Sequence, residues 1–141
     1  MINHVFSIIC EHSSIDSETN TASILGVLEH LTVFTDESGD LNLPLQFEIF
    51  SHWARENVDQ PDQGQMRVYF CTPSGQKKLT GSGPIDLSSV TFYRLRIRYN
   101  GIELSGPGLY KFIVEYQSTE DAEWVVVAQL PLLVTYAASK Q

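Results

Sequence analysis

Residues 93–99 read Tyr-Arg-Leu-Arg-Ile-Arg-Tyr, and this strict alternation constrains the fold more than any other feature of the chain. Successive side chains of a β-strand point to opposite faces, so the segment carries Tyr93, Leu95, Ile97 and Tyr99 on one face and Arg94, Arg96 and Arg98 on the other. A helix would scatter the same residues around its axis and leave no coherent apolar stripe. The pattern therefore predicts a strand with one buried and one wet face.

The same period recurs along the chain. Leu45, Phe47, Ile49 and Trp53 line one face of 45–53, opposite Gln46, Glu48 and His52; Phe50 interrupts that polar face and calls for a cover. Met66, Val68 and Phe70 alternate, as do Tyr110, Phe112, Val114 and Tyr116. Further runs lie at 4–11, 21–34, 78–87 and 124–134. Gly26 marks a bulge or close approach in the second of these. The glycines and Pro84 mark 78–87 as an irregular edge, and Pro131 implies an edge or a bulge in the last run. Val, Ile and Thr number 30 against 17 for Ala, Lys, Arg and Met, a balance that favours strand over helix.

About eight short strands separated by Gly, Pro, Asn and Asp turns predict an all-β fold: an antiparallel β-sandwich, immunoglobulin-like or C2-like, with a closed β-barrel as the alternative. With no repeat, linker or low-complexity stretch in 141 residues, the expectation is a single domain over 1–141 whose last residues, 137–141, fray.

Charge is unevenly spread. Residues 1–70 hold 2 basic and 11 acidic side chains, and residues 71–141 hold 7 and 6, giving −9 and +1 for the net −8. This balance argues against nucleic acid and against an anionic membrane surface as partners. No apolar run reaches the ~18 residues of a membrane span. The opening residues lack the basic segment of a signal peptide, and no Asn-x-Ser/Thr occurs. Cys10 and Cys71 have no CxxC spacing, so the expectation is free, buried thiols in a cytoplasmic protein, with a Cys10–Cys71 disulfide as the alternative.

Two segments carry a family likeness. One is Val5–Cys10, followed by an acidic turn and Ala22–Leu31; the other is Gly106-Pro107-Gly108-Leu109-Tyr110-Lys111-Phe112. Together they resemble an uncharacterised bacterial family of small β-sandwich proteins. The resemblance implies a sandwich fold and a cytosolic setting, and it supplies no activity and no site residues.

Catalytic signatures are missing. There is no Gly-x-Ser-x-Gly elbow and no Gly-Lys-Ser/Thr phosphate loop. His12, His30 and His52 lack zinc-site spacing, although His30 and His52 sit on neighbouring runs. The acidic loops 36–42 and 57–64 have calcium-type oxygens without the bidentate Glu of an EF-hand. No catalytic residue, cofactor or metal is expected. The aromatics at 53, 93, 99, 110, 116 and 124 read first as core and second as a sugar-stacking face.

The candidate interaction surface is the Arg94, Arg96, Arg98 stripe, about 13 Å long at 3.3 Å per residue. Its arginines can pair within the chain, with Glu48 or Glu115, or meet an acidic partner such as the N-terminal half of a second copy. The functional expectation is a non-enzymatic protein-protein interaction or self-associating module with an unknown partner. The alternative is a sandwich holding Ca²⁺ or a glycan in its end loops.

Overall fold

The computed structural model describes residues 1–139; Lys140 and Gln141 lie outside them. Among the described residues the chain forms eleven strands: β1 Ile2–Ile15, β2 Ala22–Val27, β3 His30–Phe34, β4 Leu41–Leu43, β5 Phe47–Arg55, β6 Asp62–Cys71, β7 Lys77–Leu87, β8 Phe92–Tyr99, β9 Ile102–Leu104, β10 Gly108–Gln117 and β11 Val125–Ala137. They assemble into three sheets, ordered β2-β1-β5-β8, β3-β11-β10-β6-β7 and β4-β9. The all-β expectation holds. The expectation of about eight strands is corrected to eleven, because the run 21–34 divides in two and a small third sheet is added. Two separate large sheets replace the closed β-barrel alternative.

The division of 21–34 falls at Leu28 and Glu29, and a bulge within β2 precedes it. Gly26 adopts φ +67, and the β1–β2 ladder omits Glu11 and Gly26 between Cys10↔Val27 and His12↔Leu25. After Val27 the chain leaves the first sheet, and β3 joins the second in parallel with the end of β11, from Leu133↔His30 to Ala137↔Phe34. Every other pairing is antiparallel.

The inward faces read from sequence meet across the core. Phe47 and Tyr99 of the first sheet touch Phe112 of the second at 5.8 and 5.9 Å between ring centroids, and Trp53 touches Tyr116 at 5.6 Å. Ile49, Met66, Val68, Tyr110 and Val114 are fully enclosed. Burying a side chain of this size contributes about 1.5–3 kcal/mol, so this layer dominates the stability of the fold. One flank is pinched shut where β7 runs beside β8. A Cβ on Gly81 would sit 2.9 Å from Ile97, which explains why this strand carries glycine.

Three local expectations are settled by the pairing. β7 is an edge strand, as its glycines and Pro84 imply. Pro131 lies on β11, which is interior in the strand order, but β3 pairs only from Leu133 onward, so at Pro131 the strand is locally an edge. The fraying expected of the tail is corrected at Ala137, which pairs with Phe34, and at Ser139, whose N–H donates to Asp36. The remainder of that tail, residues 140 and 141, lies outside the described residues.

Candidate functional site

The Arg94, Arg96, Arg98 stripe lies on the outer face of the first sheet, cross-strand from His52, Phe50 and Glu48 respectively. That face is not flat. Beyond the kink at Glu11 and Gly26, the β1–β2 hairpin leans over it, so residues two strands away reach β8. Arg94 donates to the side-chain and main-chain oxygens of Asn20 at 3.2 and 2.8 Å, and Arg96 donates to Ser13 at 3.4 Å. Arg98 pairs with Glu48 at 3.5 Å. The sheet is thus curled on itself, with the arginines as ties between its last strand and its first hairpin.

The curl explains Phe50. It is 1% exposed on the outer face, covered by the parallel ring of Phe6 at 5.8 Å and flanked by its cross-strand neighbours Ile8 and Arg96. Cys10 and Glu48 are enclosed beside it, with the Cys10 thiol 3.7 Å from the carboxylate. Burial, then the negative charge of Glu48, pushes the Cys10 thiol up to about 11. A thiol that stays protonated is a poor nucleophile. Cys71 is half-buried in the other sheet, and both cysteines are free, so the disulfide alternative is not formed.

The aromatic row continues past Phe6. His52 stacks between Phe6 at 5.4 Å and Phe92 at 5.6 Å, and Phe92 is 61% exposed. Burial, with the Arg94 charge second, lowers the His52 pKa below its ordinary value, so the imidazole is neutral at pH 7. Neither of its ring nitrogens is hydrogen-bonded among the described residues. Alongside lies an open cleft of about 710 Å³ between the hairpin tip and the β7–β8 turn, bordered by Asn20, His52, Asp86, Ser89, Phe92 and Arg94.

Of the two acids expected to face the stripe, Glu48 does so and Glu115 does not. Glu115 lies on the outer face of the second sheet, 6% exposed, held by Arg67 at 2.6 Å with Lys77 at 3.9 Å. The Arg67 guanidinium is also 4.1 Å from the Trp124 ring and 5.0 Å from Tyr69. This cluster fixes the start of β11 onto β6 and β10. Alternation places Arg67 and Glu115 on polar faces, but nothing in the sequence pairs β6 with β10.

The remaining sequence candidates are dispersed. His30 belongs to the second sheet and bonds Thr135 at 3.0 Å, so it does not meet His52. Among the described residues no three His, Cys, Asp or Glu side chains cluster as metal ligands. Three of the turn acids are occupied locally: Asp16 accepts from the N–H groups of Thr19 and Glu18, Asp36 accepts from the Ser139 N–H, and Asp62 holds the N-terminal ammonium at 3.0 Å. A Ser–His contact does occur. His4 Nε2 lies 2.7 Å from Ser7 Oγ, which lies 2.7 Å from Ser51 Oγ, but among the described residues no carboxylate orients that imidazole.

The fold and this surface define an all-β protein with eleven described strands in three sheets, the first of them curled. No family model matches the chain, and no curated protein matches it. Among solved structures it is similar to part of a β-glucosidase from Listeria innocua. The gluconolactone complex aligns at TM-score 0.51 and 11% identity over 96% of this chain and 17% of that one. The glucose complex aligns at TM-score 0.50 and 12% identity over 80% of this chain and 15% of that one. The chain thus spans about a sixth of the length of those enzymes, and the likeness is one of fold alone. Among the described residues no helix is long and apolar enough to cross a membrane.

Proposed function

We propose that this protein is a non-enzymatic interaction module that associates through open strand edges, in the first instance with a second copy of itself. One observation carries the reading. β1 pairs with β5 from Ile2 to Cys10, but with β2 only from Cys10 on. β11 pairs with β10 from Val125 to Val134, but with β3 only from Leu133 on. Residues 2–8 and 125–132 therefore each have a ladder on one side only, the Ile9 carbonyl being taken by the Leu28 N–H at 2.9 Å. They border a groove of about 380 Å³ lined by Ile8, Val27, Leu28, Leu130 and Pro131.

The chemistry of these edges supports association. Neither stretch contains a charged residue, and Pro131, which cannot donate to a new ladder, confines the second to residues 125–130, whereas the β8 edge carries three arginines and the β7 edge carries Lys77, Lys78 and Pro84. Edges guarded by charge or proline resist pairing, and neutral apolar edges invite it. In a chain of net charge −8, a neutral edge is where a second copy meets least repulsion. The core is also uncovered there. Val125, cross-strand from the core residue Tyr116, is 56% exposed, while Leu132 and Val134 further along β11 are each 1% exposed. Register shifts near Val5 and Val127 shorten each free stretch, which favours a closed dimer over open-ended growth.

The accompanying fold reading is immunoglobulin-like, rather than C2-like. A first strand in one sheet and a later one running parallel to the last strand of the other support it, as does Tyr110. That buried tyrosine starts β10 and donates from its hydroxyl to Gly106 O at 2.6 Å, a tyrosine-corner arrangement. A cytoplasmic setting accords with two free thiols, and the resemblance to the bacterial sandwich family rests on the residues quoted for it. The acidic balance disfavours nucleic acid and membrane partners. The missing acid beside His4 and the protonated Cys10 thiol favour a non-enzymatic role.

Sedimentation velocity from about 1 µM to about 500 µM spans the affinities expected of a small strand interface. The expected result is a monomer–dimer equilibrium, shifted to monomer by Val125→Lys, a substitution at an exposed side chain that leaves the fold intact. A chain monomeric throughout this range refutes self-association; a dimer indifferent to V125K refutes the β11 edge.

A further inference from the structure

The cleft between the β1–β2 hairpin tip and the β7–β8 turn has a composition that the edge-pairing reading does not use. Arg94 stands on one side, with one N–H of each terminal nitrogen given to Asn20 and the rest of its five donors unspent. Asp86 stands on another, with Oδ1 taken by Ser88 and Gln63 and Oδ2 unengaged. The Asn20 amide NH₂ and the His52 ring nitrogens are likewise unengaged among the described residues. Beside these polar groups, Phe92 turns one ring face to His52 and is otherwise 61% exposed, with Val90 at 45% next to it.

We propose that this cleft binds a sugar. Both signs of charge border it, so an anion would face Asp86 and a cation would face Arg94. A neutral polyol, with hydroxyls that donate and accept, satisfies both together with Asn20 and His52. A pyranose also has an apolar C–H face, which suits the free face of Phe92. A flat apolar platform beside a few convergent polar groups is the usual make-up of a small-ligand site. The neutral state of His52 matters here, because an imidazolium beside Arg94 would turn the site towards anions.

The test is an amide NMR titration with glucose, galactose, N-acetylglucosamine, maltose and cellobiose, each to roughly 50 mM, well above the weak millimolar affinities expected of an open site. Saturable shifts are expected at Asn20, Ser89, Phe92 and Arg94, and not along residues 125–132. Phe92→Ala and Asp86→Asn both change exposed side chains, and each is expected to weaken binding at least tenfold while leaving the rest of the spectrum unmoved. Phenylacetate serves as the charged control. No saturable shift with any of the five sugars, shifts confined to other surfaces, or binding that survives both substitutions overturns the proposal. Binding of phenylacetate without any sugar overturns it in favour of an anion site.

Discussion

Tyr110→Phe removes one oxygen from the centre of the protein and leaves everything else in place. The ring is fully buried and stacks on Phe70 at 5.3 Å, and phenylalanine preserves both the volume and that contact. No cavity opens, so the cost is that of hydrogen bonds alone. The hydroxyl donates to Gly106 O at 2.6 Å and accepts from the Ser105 N–H at 2.8 Å. Gly106 is buried, so its carbonyl is left without a partner at about 1–2 kcal/mol; Ser105 is exposed and its N–H rehydrates at about 0.5–1 kcal/mol. The expected loss is about 1.5–3 kcal/mol. For a chain of this size that lowers Tm by roughly 10 °C, at about 3–5 °C per kcal/mol. Urea unfolding followed by Trp fluorescence should show a lower midpoint with an unchanged m-value, because the surface exposed on unfolding is the same. A loss below about 0.5 kcal/mol would refute the reasoning, since water would then replace the corner at no cost.

Acid should destabilise the fold through two histidines. Burial lowers the pKa of His4, and burial with Arg94 lowers that of His52, both from 6.5, so below that pH the unfolded chain binds more protons than the folded one. Their contribution is whole above about pH 6.5 and lost as pH falls, so the urea midpoint should drop between about pH 7 and 5, and His52→Gln should flatten that drop. Asp16 and Asp86, held below 3.8 by hydrogen bonds to Glu18, Thr19 and Ser88, lose theirs only at lower pH. Cys10, enclosed with its thiol pushed up to about 11, should resist iodoacetamide at about pH 8, where the half-buried Cys71 is alkylated; mass spectrometry of the quenched protein resolves the two, and equal labelling would contradict the enclosure.

The sequence by itself determined the local strand character, because period two is a local property. Tyr93–Tyr99, Met66–Phe70 and Tyr110–Tyr116 form strands with the faces their alternation assigns. It also identified the three arginines and one of their acids, since Glu48 stands on an equally regular strand. Sheet membership was not legible, because a ladder depends on which distant segment comes alongside. Nothing at Glu115 says that it meets Arg67 rather than the stripe, and nothing at His30 says that it joins the other sheet. Gly26 signalled a bulge or close approach, but only the tertiary structure brought the hairpin beyond it back onto Arg94 and Arg96. The free edges of β1 and β11 and the cleft beside Phe92 belong to the same category. Each depends on where one segment stops running beside another, and that has no counterpart in either segment alone.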